Sequence, residues 1–304
     1  MTLPAEFSLI ARHFLPLAGQ GALALSDDAA LLTPPAGREL VLAADAMVAG
    51  VHFLDNDPPE TIGRKLLRVN LSDLAAMGAD PLAYLMTIAL PHGTPDAWVA
   101  AFARGMALDQ AEYGLAVLGG DTVSTPGPLT LSLTILGTVA PGAALRRNGA
   151  RPGDEVWVTG RIGDGVLGLA AARGQRPDPD GYFATRYRLP TPRLAEGRAL
   201  RGIATACMDV SDGLVQDLGH LCRASGCGAV LRAADVPTSA AGDIAQLITG
   251  GDDYELLFAA PPGALPPGMA ATRIGHFTAG PPAVTVLDAQ GQPMSLPRQG
   301  WSHL

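Results

Sequence analysis

Six short aspartate motifs recur along the chain: Asp27-Asp28, Asp45, Asn70-Leu71-Ser72-Asp73, Gly119-Gly120-Asp121-Thr122, Asp209-Val210-Ser211-Asp212-Gly213 and Gly251-Asp252-Asp253-Tyr254-Glu255. Aspartate outnumbers glutamate 22 to 7, and Lys65 is the only lysine. A short, stiff carboxylate suits a fixed oxygen ligand in a turn or at a strand end. Magnesium takes oxygen ligands near octahedral geometry and leaves part of its shell to substrate phosphates. An Asp beside Gly, Ser or Asn is most often a turn former or helix cap. Several such motifs, most of them following apolar runs, point instead to a site that handles phosphate through magnesium.

The elements that must carry these residues follow from local pattern. The apolar run 40–44 reads as a buried strand that ends at Asp45. Ile62, Leu66, Val69, Asp73 and Met77 recur at helical spacing over 59–79, which sets Asp73 on an apolar face where it needs a partner or a ligand. A strand is expected at 82–90. A helix follows, with Thr94 as N-cap, Pro95 at its first position and Gly114 at its end. The strand 115–118 would deliver Gly119 to Thr122 at its exit, and 129–139 reads as a strand with one partly polar face.

The glycine, proline and arginine content of 141–153 marks a boundary between domains 1–143 and 144–304. Beyond it, strands are expected at 155–159, 206–210, 229–231, 254–259 and 272–275. Helices are expected at 163–173, near 193–201 and at 214–224. The N–H groups entering the last of these, at Ser211-Asp212-Gly213, could face a phosphate. The proline-rich stretch 174–192 reads as a surface loop.

Composition excludes several classes. A net charge of -8 with scattered arginines offers no basic patch for nucleic acid. The run 82–90 is far short of the roughly 18 apolar residues of a membrane span. Three cysteines, Cys207, Cys222 and Cys227, with no C-x-x-C pair, fit a reducing, cytoplasmic setting. Lys65 is followed by Leu66, so neither a P-loop nor a protein-kinase strand lysine is present. Gly163 to Gly168 spell G-x-G-x-x-G but lie apart from the end of the strand expected at 155–159, and no His sits in H-E-x-x-H. His52 alone of the histidines lies near an acidic motif. Phosphate charge must then be met by arginine, helix N-termini and metal, and Arg146 and Arg147 lie in the boundary loop.

Taken in order, Glu6 to Ile10, Asp27-Asp28-Ala29, Asp45 to Phe53, Asn70 to Ala79, Gly119 to Thr122, Asp209 to Leu214 and Asp252 to Leu256 resemble the thiamine-monophosphate kinase family over nearly the whole chain. The segment 70–79 is the most specific of them. The resemblance implies an α/β fold of mixed sheets with the two-domain architecture of aminoimidazole ribonucleotide synthetase. The N-terminal sheet would pair across a homodimer and bind ATP and magnesium, and a layered C-terminal α/β domain would complete the active site.

By the same resemblance, Asp28, Asp45, Asp73, Asp121, Asp209 and Asp212 are magnesium ligands, with Ala44 contributing backbone where the family has a hydroxyl side chain. Gly120, Asp121, Arg147 and Ser211 contact ATP. His52, Asp252 and Trp301 lie near the thiamine phosphate. The chain departs from the family at Ala43-Ala44, at Asp252 in place of glutamate, and at Ser26 in place of a glycine, which would restrict the backbone there.

The implied activity is ATP-dependent phosphorylation of thiamine monophosphate to thiamine diphosphate. A phosphate monoester is already anionic at neutral pH, with a second pKa of about 6, so no general base is needed. Two alternatives stay open. Another ATP-dependent enzyme of the superfamily is one, although selenophosphate synthetase would carry an N-terminal cysteine and none precedes Cys207. The other is a non-catalytic binder of nucleotide or thiamine phosphate.

Overall fold

A computed structural model describes residues 4–240 and 242–302. The chain divides into two compact units. One comprises the chain to Leu74 together with Asp80–Pro141, and the other Ala75–Ala79 together with the chain from Gly142 onward.

In the first unit, α1 (Ala5–Leu9) leads through short helical turns to β1 (Glu39–Val48), α2 (Pro59–Ala76), β2 (Asp80–Pro91), α3 (Asp96–Tyr113), β3 (Ala116–Thr125) and β4 (Thr130–Val139). The strands form a sheet of order β1-β4-β2-β3, in which only the β2–β3 pair is parallel. Alternation sorts its two faces. Val41, Met47, Leu131, Leu133, Ile135, Tyr84, Met86 and Ile88 are buried. Gly137 of β4 lies on that side, and a Cβ there would fall 2.8 Å from Leu74 Cδ2 of α2, so its lack of a side chain seats the helix on the sheet.

The two helices also meet closely. A Cβ on Gly105 of α3 would lie 2.0 Å from the Glu60 carbonyl oxygen, and one on Gly63 of α2 would lie 2.5 Å from that of Phe102. Arg68 clamps the pair through a two-pronged bond to the fully buried Asp109, at 2.7 and 3.0 Å. On the other face, Leu40, Leu42 and Leu85 are exposed, Leu42 by 61%.

In the second unit the order is β5 (Glu155–Thr159), α4 (Asp164–Ala172), α5 (Tyr182–Arg188), α6 (Leu194–Ala199), β6 (Ala206–Asp209), α7 (Leu214–Ser225), β7 (Gly228–Arg232), α8 (Ile244–Thr249), β8 (Leu256–Ala260), β9 (Ala271–Thr278) and β10 (Val284–Leu287). The sheet order is β10-β7-β9-β5-β8-β6, antiparallel except for β10–β7. Leu214, Leu218, Leu221 and Cys222, spaced for one helical face, are buried with Val156, Val158, Leu257, Ile274 and Phe277 in one core.

Several local expectations are corrected. Asp45 does not end its strand but lies inside β1, opposite Leu133. Gly119 to Thr122 likewise lie within β3. Thr94 does not cap α3: its hydroxyl donates to the Pro91 carbonyl at 2.7 Å, and Pro95 is the cap residue. Gly114 does end that helix, at φ 72°. The stretch 174–192 contains α5, anchored by the buried Tyr187. Ser26 takes φ -115°, a backbone conformation that suits any residue, so it brings no strain. The helix α8 and strand β10 have no counterpart in the sequence reading.

Candidate functional site

An open cavity of about 650 Å³ lies on the outer face of the first unit's sheet. Register explains its polar floor. Thr87 of β2 is opposite Asp121 on one side and Ser132 on the other, and Thr134 is opposite Ala44. Asp27 and Asp28 reach the same cavity from the segment before β1, with Ile10, Phe14 and Leu25 supplying apolar wall. Among the described residues, no lysine, arginine, histidine or cysteine lines it.

The approach to Asp121 depends on Gly120. It holds φ 155°, and a Cβ there would lie 1.7 Å from the Met86 carbonyl oxygen, so no other residue fits. Just before Asp27, Leu23, Ala24 and Leu25 all hold left-handed φ, at 50°, 54° and 52°. Such strain concentrates where a segment is held for function.

The structure brings Asp28, Gly120 and Asp121 to one cavity and places Ala44 on the same sheet face. Asp45, one residue on, alternates to the opposite face with Val41 and Met47. Asp73 is half-buried on the last turns of α2. Nearby, Asn70 donates its amide to the Leu66 carbonyl at 2.9 Å, while its buried Oδ1 has no hydrogen-bond partner. His52 accepts the Val48 N–H on Nδ1 at 3.0 Å, which leaves the ring proton on Nε2 in the neutral form. The chain's one lysine, Lys65, is buried and donates to the His52 carbonyl at 2.9 Å rather than reaching for phosphate.

The second unit gathers Asp209, Ser211, Asp212, Asp252 and Trp301 around the turn from β6 into α7. Asp252 N–H donates to the Ser211 carbonyl and Trp301 N–H to the Asp212 carbonyl, both at 2.9 Å. Asp252 and Tyr254 hold left-handed φ, 67° and 52°, and the Tyr254 hydroxyl bonds Asp252 Oδ1 at 3.1 Å. Arg146 and Arg147 are both exposed, on a loop whose main chain is fixed: the Arg146 carbonyl accepts from Cys207 N–H, and the Arg147 carbonyl from the Ser225 hydroxyl.

The N–H groups that could have faced a phosphate are occupied. Those of Ser211, Asp212 and Gly213 converge on Asp217 Oδ2 at 3.1, 3.2 and 3.1 Å. Burial, followed by the charges of Asp209 and Asp212, pushes the Asp217 carboxyl up to about 8, against the pull of the Gly213 and Asp212 N–H groups. Asp217 was not singled out in sequence; its spacing from Asp212 is the only signal it leaves. Two further buried acids are structural anchors. Asp253 caps the start of α4 through the Gly163 and Gly165 N–H groups, and burial holds its carboxyl well above the usual range. Glu255 accepts from Thr159, Arg186 and Arg193.

These donor sets fit magnesium. The outer cavity offers carboxylates and hydroxyls, and Asn70 leaves a buried oxygen that a cation or water would satisfy. In the second unit Asp212, Asp217 and His220 place ligand atoms within 4.8 Å of one another, but Asp217 Oδ2 already accepts three N–H groups and an imidazole nitrogen is not a magnesium donor, so this trio does not share that fit.

Comparison with known proteins agrees with this chemistry. The models for AIR synthase related protein, N-terminal and C-terminal domains, match residues 26–139 and 151–286. The thiamine-monophosphate kinase of Caulobacter vibrioides is 42% identical over 99% of this chain and 91% of its own length. That of Escherichia coli K12 is 39% identical over 98% of each. Among solved structures, thiamine-monophosphate kinase from Stenotrophomonas maltophilia K279a superposes with a TM-score of 0.81 at 37% identity, covering 95% of this chain and 98% of that one. AaThiL complexed with AMPPCP and TMP does so at 0.82 and 29%, over the whole of both chains. With relatives of that name matched at this identity from end to end, the chain belongs to the thiamine-monophosphate kinase family.

Proposed function

We propose that the protein phosphorylates thiamine monophosphate to thiamine diphosphate with ATP, by direct in-line transfer of the γ-phosphoryl group. The observation that carries this reading is the cavity in which Asp27, Asp28 and Asp121 stand beside Thr87, Ser132 and Thr134, a set of oxygen donors suited to holding magnesium against phosphate. A phosphate acceptor, already anionic, needs no general base. Relatives along the full chain support the substrate pair, and one was solved with an ATP analogue and TMP.

In this reading Asp28, Asp45, Asp73, Asp121, Asp209 and Asp212, with the Ala44 backbone, hold several magnesium ions. When bound, these would neutralise the repulsion between two polyanions and align them. Asp121 and Gly120 seat the nucleotide from β3, and Ser211 and Arg147 approach its phosphates. Asp217 acts indirectly, by fixing the turn that carries Ser211 and Asp212. His52, Asp252 and Trp301 orient the thiamine phosphate, with His52 as a neutral Nε2–H donor. The N-terminal domain, 1–143, would carry ATP, magnesium and the dimer contact, and the C-terminal domain, 144–304, the remaining ligands. Three buried free cysteines support a reducing, cytoplasmic setting; no helix among the described residues is long and apolar enough to cross a membrane.

An assay of ADP release with and without thiamine monophosphate tests the proposal. Release should depend on thiamine monophosphate and vanish when magnesium is chelated. Unphosphorylated thiamine should be a very poor substrate, because it lacks both the anionic oxygen that attacks and the phosphate that would complete the metal shell. Comparable turnover of thiamine and its monophosphate would overturn the mechanism.

A further inference from the structure

Gln216 lies on the first turn of α7, and its amide nitrogen has two hydrogens to place. One points to Asp212 Oδ2 at 3.1 Å and the other to the Trp301 carbonyl oxygen at 2.7 Å. Trp301 returns a bond, its N–H donating to the Asp212 carbonyl at 2.9 Å. Between them the main chain presses on the glutamine: a Cβ on Gly300 would fall 2.5 Å from Gln216 Cβ. Gln216, Asp212 and the 300–301 segment thus close a small ring of contacts, although they are far apart in sequence.

We propose that Gln216 is a positioning residue for the acceptor substrate, holding the C-terminal segment so that the Trp301 ring stands in one place relative to the Asp212 carboxylate. The proposal rests on the reading in which Trp301 meets the thiamine moiety and Asp212 serves the phosphate end. Gln216 then sets the span between ring recognition and phosphate recognition. A side chain of this length with two donors and no charge is required. Glutamate has the same shape but no donor, and it would oppose the Asp212 carboxylate. Methionine has the length but neither donor.

The protein contains three tryptophans, so labelling with 5-fluorotryptophan gives three fluorine resonances, and Trp301→Phe identifies that of Trp301. In Gln216→Met the Trp301 resonance should shift and narrow while the other two stay in place and report an intact fold. Loss of two hydrogen bonds should raise KM for thiamine monophosphate about tenfold and KM for ATP less than about twofold. Gln216→Glu, kept as a second variant should the first fold poorly, should show the same split. An unmoved Trp301 resonance, or equal effects on the two KM values, overturns the proposal. Wild-type protein that does not use thiamine monophosphate would instead sink the functional reading, with the resonance shift still reporting on the contact itself.

Discussion

At the scale of single residues, the aspartates differ in what they do, and substitution should separate them. Asp121 faces the open cavity and Asp73 is half-buried on α2. Asp121→Asn and Asp73→Asn keep size while removing charge, so each should raise the magnesium concentration needed for half-maximal activity and lower turnover by about tenfold or more, with the folded far-ultraviolet spectrum retained. Full activity of both at limiting magnesium would show the ligands to be misassigned. The cysteines give a contrasting expectation. All three are buried, and burial pushes the Cys222 thiol up to about 12. Burial thus disfavours the thiolate, which is the reactive form. Thiol reagents should therefore label native protein slowly and react with three groups per chain only after denaturation; rapid labelling of native protein would contradict the buried placement.

At the scale of elements, the ion pairs of the second unit set up a stronger test. Glu255 is fully buried and joins β8 to β5 and to the arginines of the 182–193 segment. Glu255→Ala removes the carboxylate that Arg186 and Arg193 share, leaving them the longer contacts to Asp164 at 3.5 Å and Glu196 at 3.6 Å, and should cost about 3 kcal/mol, read as a fall in the midpoint of urea unfolding. A change within error of zero would mean that the pair is solvated in solution. Glu255 was visible in sequence only as the last letter of an acidic motif, because its partners come from positions 159, 186 and 193. The strands and helices with strong periodicity were legible: 155–159 and the end of α3 at Gly114 follow from pattern alone. Polar motifs inside strands were not. Gly119 to Thr122 read as a strand exit because small and polar residues end the hydrophobic alternation before hydrogen bonding stops, and Asp45 read as one because a carboxylate on the face of Val41 and Met47 interrupts the apolar run while the strand continues. The helix α5 was hidden by the prolines around it and by burying only one residue, Tyr187.

At the scale of the whole molecule, Leu40 and Leu42 of β1 are exposed on the outer face of the first unit's sheet, where β4 separates them from the exposed Leu85 of β2 that lines the cavity. Sheet faces of this kind are covered by a partner in soluble proteins. We expect a homodimer through the N-terminal sheet, with light scattering at micromolar concentration giving about twice the 31.2 kDa of one chain. A mass near that of one chain would count against it, and Leu42→Glu should shift the population towards it.

The division of the chain carries one further consequence, for the order in which the protein is made. Ala75–Ala79, directly after the Asn70 to Asp73 motif, belong with the later unit. There the Met77 carbonyl accepts from Leu145 N–H, the Gly78 carbonyl from Arg201, and Gly197 packs against the Ala75 carbonyl with no room for a Cβ. A ribosome adding about 5–20 residues per second needs roughly 6–24 seconds to travel from residue 79 to residue 201. Throughout that interval Ala75–Ala79 must wait without their final neighbours, although Asp73, two residues before them, already belongs to the first unit.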